Sequence, residues 1–288
     1  MNPPATTRFN AYWRLMRADR PIGSMLLGWP TLAALLIAGG GSPPLKVVVL
    51  FMLGVFVMRS AGCVINDFAD RHIDGHVTRT SNRPLAAGEL RPWHAMLLFA
   101  LLLAIAFFIL IQFNRATILL GVAAAGVAIL YPFCKRFTNL PQVVLGIAFS
   151  FGILMAFTAL DQGLPLAAWV LFAANITWTV AYDTEYAMTD REDDLRIGVK
   201  STAILFGGYD RLSIGLLQII TLALLFWLGR LLEFGIIYQV GLAIIALLFL
   251  WQQRLIWWRD PQRCLRAFLH NNYVGLVLAT AVAAEFWF

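Results

Sequence analysis

Apolar residues run along this chain in blocks of about twenty, the length an α-helix needs to cross a hydrocarbon layer about 30 Å thick. The blocks fall at 21–38, 45–65, 92–112, 116–133, 141–160, 165–182, 212–230, 235–253 and 268–287. Between them stand turn and helix-start signals: Gly39-Gly40-Gly41-Ser42-Pro43-Pro44, Arg91-Pro92, Asn114-Arg115, Asn139-Leu140-Pro141, Gly163-Leu164-Pro165 and Pro261. The third and fourth blocks are separated only by Phe113 to Arg115 and are expected to form a tight hairpin. The pattern predicts an all-α polytopic membrane protein with nine transmembrane helices, residues 1–288 forming a single membrane-embedded domain.

Composition agrees with that expectation. The chain is 60% hydrophobic and 13% charged, against roughly a quarter charged in soluble proteins, and its mean hydropathy is +0.74. The stretch from Pro3 to Arg20 lacks the short apolar core and small-residue cleavage site of a signal peptide, so the first block is expected to remain as a helix. Cys63, Cys134 and Cys264 are scattered without CxxC spacing and read as structural.

Charge orients the predicted bundle. All but Lys46, Arg115 and Arg230 of the 22 Lys and Arg fall on one side of the span map. The positive-inside rule then places the N-terminus and both long connections, about 66–91 and 183–211, in the cytoplasm, and the C-terminus outside. The net charge of +6 is thereby distributed for a lipid bilayer, and no nucleic-acid partner is expected.

Those two long connections carry the chemistry. Each apolar block that precedes them runs into acids: Asn66-Asp67-Phe68-Ala69-Asp70-Arg71-His72-Ile73-Asp74, and Asp183-Thr184-Glu185-Tyr186-Ala187-Met188-Thr189-Asp190-Arg191-Glu192-Asp193-Asp194. Ionised carboxylates near hydrocarbon cost a few kcal/mol apiece, so two such groups call for cations. If the second helix continues past Ile65, Asn66, Asp70 and Asp74 lie within about 80° of one another, with Asp67 on the flank and Arg59 on the same face. On the sixth helix Asp183, Asp190 and Asp194 fall within about 40°, joined by Tyr186.

Oxygen ligands of this kind suit Mg²⁺, held by one or two carboxylates plus phosphate oxygens and water. His72 and His76 also stand four apart, but on the same wheel they point away from the aspartates, which reads against a zinc site. Arg79 and Arg83 after the first motif, Lys135 and Arg136 at the end of the fourth block, and Lys200 after the second motif form a candidate cationic rim for a diphosphate.

With these residues the chain resembles the UbiA-type membrane prenyltransferases over essentially its whole length, and within them the branch that prenylates 4-hydroxybenzoate in bacterial ubiquinone synthesis. The matching stretches are Arg14 to Gly23, Asn66 to Asp74 running into Asn82-Arg83-Pro84-Leu85, and Tyr182 to Asp190 through Lys200-Ser201-Thr202. The resemblance implies nine helices around a central cavity in the bacterial inner membrane, capped on the cytoplasmic side by both motifs. Asn66, Asp70 and Asp74 would hold one Mg²⁺, and Asp190 and Asp194 the other.

Arg79, Arg83, Lys135 and Arg136 become candidates for diphosphate contact, and Arg20 and Arg59 for the diphosphate or the benzoate carboxylate. Asp67 is an extra carboxylate of open role. The implied reaction moves a polyprenyl group from polyprenyl diphosphate to the ring carbon ortho to the hydroxyl, with Asp183 or diphosphate itself taking the ring proton. The alternatives are a relative with another acceptor, such as a naphthoate, homogentisate or haem, and a cation-coupled anion transporter. Transporters hold their ionisable groups near the bilayer midplane, whereas both motifs here sit at the ends of spans.

Overall fold

A computed structural model describes residues 5–76 and 79–287, with side chains from Arg8 onward and that of His76 outside the description. Among the described residues every regular element is a helix. In chain order these are α1 (Ala5–Leu15), α2 (Ile22–Ala38), α3 (Leu45–Asp70), α4 (Pro92–Leu110), α5 (Arg115–Cys134) and α6 (Pro141–Ala159). There follow α7 (Leu166–Ala187), α8 (Arg191–Ile197), α9 (Thr202–Phe206), α10 (Asp210–Leu231), α11 (Ile236–Leu255) and α12 (Pro261–Trp287).

Each apolar block lies on one of the long helices. Seven stretches among the described residues have the length and composition to cross a membrane, namely α3 to α6, the run through α9 and α10, α11 with the turn after it, and α12; α2 is shorter and also apolar.

Local chemistry sets the helix starts and turns. Pro92 and Pro141 open α4 and α6 at the position where a missing N–H costs nothing. Asn114 caps α5, its side-chain oxygen accepting from the Thr117 N–H at 3.0 Å. The α2–α3 turn uses Gly41 at φ +84°, where a Cβ would lie 2.4 Å from that of Phe286, so this turn both reverses the chain and lets α12 close against it.

Packing forms a ring. α2 sits between α6 and α12, α7 between α6 and α10, and α11 lies on α12. The interior is built from Leu26, Leu35, Ile153, Leu171, Trp178, Ile245 and Leu278, while Phe108, Leu119, Leu216 and Leu250 are exposed on the outside. Hydrogen bonds between helices add specificity where apolar contact alone gives none: Asn175 donates to Ser150 at 2.9 Å, and the hydroxyls of Thr177 and Thr221 meet at 2.8 Å.

Three expectations are corrected. The turn joining α4 to α5 is tight, yet the two helices touch only slightly. α4 lies mainly on α3 and α5 mainly on α6.

α3 ends at Asp70, so Asp74 lies on a following 3-10 turn and not on the wheel with Asn66. α7 ends at Ala187, where the Thr189 hydroxyl donates to the Tyr186 carbonyl at 2.6 Å and satisfies a carbonyl that another helical turn would have used. Asp190 therefore directly precedes a separate short helix, α8, that carries Asp194.

Candidate active site

The ring encloses a cavity of about 800 Å³. At one end lie Asn66, Asp67, Arg79 and Arg83; in the middle Arg59, Tyr131, Tyr182 and Asp183; at the other end apolar side chains of α4, α5 and α6. Of the two acidic motifs, Asn66, Asp67, Asp183 and Tyr186 line the cavity, whereas Asp70, Asp74, Asp190 and Asp194, like Lys135 and Arg136, are not among its lining residues.

The first motif is buried and counterbalanced by cations. Asp67, Asp70 and Asp74 are 1%, 1% and 5% exposed, which a carboxylate tolerates only with a partner. Arg17 donates to both oxygens of Asp67 at 2.9 and 3.0 Å, and Arg83 reaches the same group at 3.1 Å. Arg83 also donates to Asp74 at 2.9 and 3.0 Å. Lys135 pairs with Asp70, and Arg136 donates to the Ala69 carbonyl at 2.7 Å. Burial pushes the Asp74 carboxyl above its usual range, Arg83 opposes the shift, and Asp67 and Asp70 add to it.

The second motif meets the first through Arg79. Its guanidinium donates to Asp190 at 2.8 Å, hydrogen-bonds the Tyr186 hydroxyl, and lies 4.3 Å over the Tyr186 ring. Tyr186 in turn packs 4.6 Å from Phe268 of α12. Asp194 is pushed up to about 7, first by burial and then by the neighbouring charges of Asp190 and Asp193, with Lys135 and Arg79 pulling the other way.

These groups fit a hard divalent cation. The donors are oxygens, as such a cation prefers, and Asp70 Oδ1 is buried with no hydrogen-bond partner. Among the described residues no three acids converge closely enough to hold an ion unaided.

Arg59 occupies a different position. It lines the cavity from α3, its Nη1 donates to Cys63 Sγ at 2.6 Å, and its buried Nε has no partner. Gly23 makes room for it, since a Cβ there would stand 2.1 Å from that Nε. No ion pair joins Arg59 to an acid among the described residues, so this half-buried guanidinium at the cavity wall keeps hydrogen-bonding capacity to spare. Asp183, 8% exposed, lines the same stretch.

The remaining sequence candidates lie further out. Arg20 is 78% exposed at the mouth, 3.7 Å from Asp19. Lys200 is not among the cavity-lining residues: its ammonium donates to the Phe137 carbonyl at 3.4 Å, and its N–H to the Lys135 carbonyl at 3.1 Å. His72 is exposed, and the side chain of His76 lies outside the described residues. Cys63, Cys134 and Cys264 are buried and unbridged.

Sequence reasoning passed over Arg14, at the end of α1, and Arg17, on the turn that follows it, which both line the cavity. Arg14 pairs with Glu89. Their signal was the run of arginines ahead of Arg20, at a spacing that gave no hint of Asp67 as a partner.

Comparison with known proteins places the geometry in a lineage. The model of the UbiA prenyltransferase family matches residues 27–273. The 4-hydroxybenzoate octaprenyltransferase of Idiomarina loihiensis is 62% identical over 96% of this chain and 98% of its own length. The protein of the same name from Edwardsiella ictaluri is 58% identical over 95% and 96%. Among solved structures, the apo UbiA homolog from Aeropyrum pernix K1 superposes with a TM-score of 0.79 at 25% identity, covering 91% of this chain and 97% of that one. The Archaeoglobus fulgidus UbiA homolog bound to GPP and Mg²⁺ shares the fold at a TM-score of 0.72 and 22% identity, over 96% and 100%. The chain belongs to the UbiA prenyltransferase family.

Proposed function

We propose that the protein transfers a polyprenyl group, octaprenyl by kinship with its relatives, from the diphosphate to the ring carbon ortho to the hydroxyl of 4-hydroxybenzoate, releasing diphosphate, in ubiquinone biosynthesis. One observation carries the reading: a single cavity runs from Asn66 and Asp67 of one acidic motif and Asp183 and Tyr186 of the other, past an arginine whose buried Nε is unpartnered, into an apolar channel. Those three zones match the three parts of the reaction, a diphosphate, an aromatic acid and an isoprenoid tail. Relatives of the same name at 62% and 58% identity support the acceptor.

In this reading Asn66, Asp70 and Asp74 on one side and Asp190 and Asp194 on the other would hold Mg²⁺, which supplies Lewis-acid charge neutralisation at the diphosphate. The binding of GPP and Mg²⁺ by the Archaeoglobus homolog supports that choice. Arg79, Arg83, Lys135 and Arg136 surround the acids and would move part of their hydrogen bonding from carboxylate to phosphate oxygens. Lys200 and Arg20 would add positive potential from the rim. Arg17 and Arg83 keep Asp67 charged and fixed.

Arg59 receives the benzoate carboxylate as a fork, and this sets the ring beside the breaking C–O bond. Tyr131 and Tyr182 line the stretch of cavity where allyl-cation charge develops. The apolar walls exclude water, which would otherwise capture that cation as an alcohol. The ortho carbon attacks, and Asp183 takes the ring proton as aromaticity returns. The same reading sets nine spans in a bacterial inner membrane, with the N-terminus and acidic end in the cytoplasm and residues 1–288 as one domain.

The test is incubation of membranes with Mg²⁺, octaprenyl diphosphate and each of 4-hydroxybenzoate, a dihydroxynaphthoate and homogentisate. The expected product is octaprenyl-4-hydroxybenzoate alone, lost with EDTA. Prenylation of another acceptor in its place overturns the assignment.

A further inference from the structure

We infer that the start of α10, the end of α11 and the start of α12 together bind the phosphodiester headgroup of an anionic phospholipid, through Arg211, Arg254, Arg263 and Arg266. Elsewhere at this end of the bundle arginines hold carboxylates, as Arg14, Arg17, Arg79, Arg83 and Arg191 do. These four have no ion pair among the described residues. The three helix ends carry two acids of their own. Asp210 is fully buried between Arg191 and Arg259, and Asp260 is exposed, accepting from the Arg263 N–H at 2.9 Å. One exposed acid therefore stands against four cations.

The surface below the cations is shaped for acyl chains. α11 packs between α10 and α12, so the three ends are neighbours. Val240, Ile244, Leu247, Trp251 and Arg254 follow one another at spacings of four and three, all exposed, and form one outward stripe on α11. Its apolar part runs about 21 Å away from Arg254 at 1.5 Å per residue. That is enough to follow an acyl chain through one leaflet, half of a hydrocarbon layer about 30 Å thick. Leu212, Leu216 and Ile219 make a similar exposed stripe on α10. Trp257 and Trp258, both exposed, stand at the level where indoles meet headgroups.

Arg211 is fixed in this place without an acid. Its Nη1 donates to the Trp257 carbonyl at 2.8 Å, its guanidinium lies 4.3 Å over the Trp257 ring, and its buried Nε has no hydrogen-bond partner. A guanidinium oriented by a carbonyl and an aromatic face keeps its whole charge for a phosphate, whose oxygens match its planar donors. Basic pockets between helices on the cytoplasmic side seat anionic lipid headgroups in this way. A soluble phosphate would meet the cations but gain nothing from the stripes, which commits the site to a lipid.

The test is native mass spectrometry of the full chain in detergent, titrated with dioleoylphosphatidylglycerol or dioleoylphosphatidylcholine, together with the thermal midpoint in each lipid. Phosphatidylglycerol should bind about tenfold more tightly than phosphatidylcholine and should raise the midpoint. The double variant Arg254→Gln/Arg263→Gln should weaken phosphatidylglycerol about tenfold. A second double variant, Arg8→Gln/Arg196→Gln, removes the same charge from other parts of this end and should change binding less than twofold. Excess glycerol phosphate should not displace the lipid. Equal binding of the two lipids, equal loss or no loss in the two double variants, or displacement by glycerol phosphate overturns the site. Should a variant fail to fold, the comparison of the two lipids on the unaltered chain still decides.

Discussion

Asp70 ends α3 and Asp190 precedes α8, and each has its own cation, Lys135 on Asp70 and Arg79 on Asp190. Replacing either acid with Asn keeps size and polarity and removes the charge needed to share a cation with diphosphate. Asp70→Asn and Asp190→Asn are each expected to cut prenyl transfer by about 10²–10³, the cost of losing one preorganised electrostatic group. The protein should still elute as a folded monodisperse species in detergent, and turnover within threefold of the parent would remove that acid from the mechanism. Gly23 gives a finer probe of the acceptor. A methyl at Gly23 collides with the Arg59 guanidinium, so Gly23→Ala should raise KM for 4-hydroxybenzoate about tenfold, worth ~1.4 kcal/mol of binding, with a much smaller change in kcat. An unchanged KM would show that Arg59 is not the carboxylate receptor.

Helix ends decide where these residues stand, and one of them is held by a buried acid outside the cavity. Asp210, at the start of α10, is 0% exposed and is gripped by Arg191 of α8 at 2.9 Å and by Arg259, before α12, at 2.8 Å. Arg191 follows Asp190 directly, so Asp210 anchors the start of α8 and with it the second motif. Asp210→Asn strips two partly exposed arginines of their counter-charge. The expected destabilisation is about 1–3 kcal/mol, below the 3–5 of a fully buried pair because both arginines retain water. A lowered thermal midpoint in detergent, with transfer reduced in parallel, is the outcome to look for; an unchanged midpoint refutes the anchoring role.

The same ends mark where the sequence stops being legible. Apolar blocks announce helices because some twenty residues speak together, and lipid leaves no other way to satisfy the backbone. The break after Ala187 depends on one Thr189 hydrogen bond, so a helical wheel carried through it misplaces Asp190 and Asp194. Asp74 is misplaced for the same reason after Asp70. Arg17 could not be singled out because its partner Asp67 lies fifty positions away in sequence, a contact that only tertiary packing creates. Of the rim candidates that the structure brings onto the acids, Arg83 was readable because it shares a connection with Asp74 and Lys135 because it ends a helix facing Asp70, whereas Arg79 stood out only by following the first motif, its partner Asp190 lying on the other connection.

The bundle as assembled has two chemically different ends, and the orientation proposed for it rests on them. The acidic end gathers the arginines and lysines, while Lys46, Arg115 and Arg230 stand at the opposite helix ends. Loops rich in Lys and Arg are retained in the cytoplasm, and a charged diphosphate donor with Mg²⁺ is met most readily there. Cysteine mapping tests this directly, because the native Cys63, Cys134 and Cys264 are all buried and give a quiet background. Arg196 is 75% exposed on α8 at the acidic end, and Lys46 is exposed at the other end of α3. In spheroplasts a membrane-impermeant maleimide should label Lys46→Cys and spare Arg196→Cys, and in inverted vesicles the pattern should reverse. Labelling of Arg196→Cys from the outside would turn the protein over in the membrane, leaving its acids facing a compartment that supplies neither the nucleophile nor the donor assigned to it.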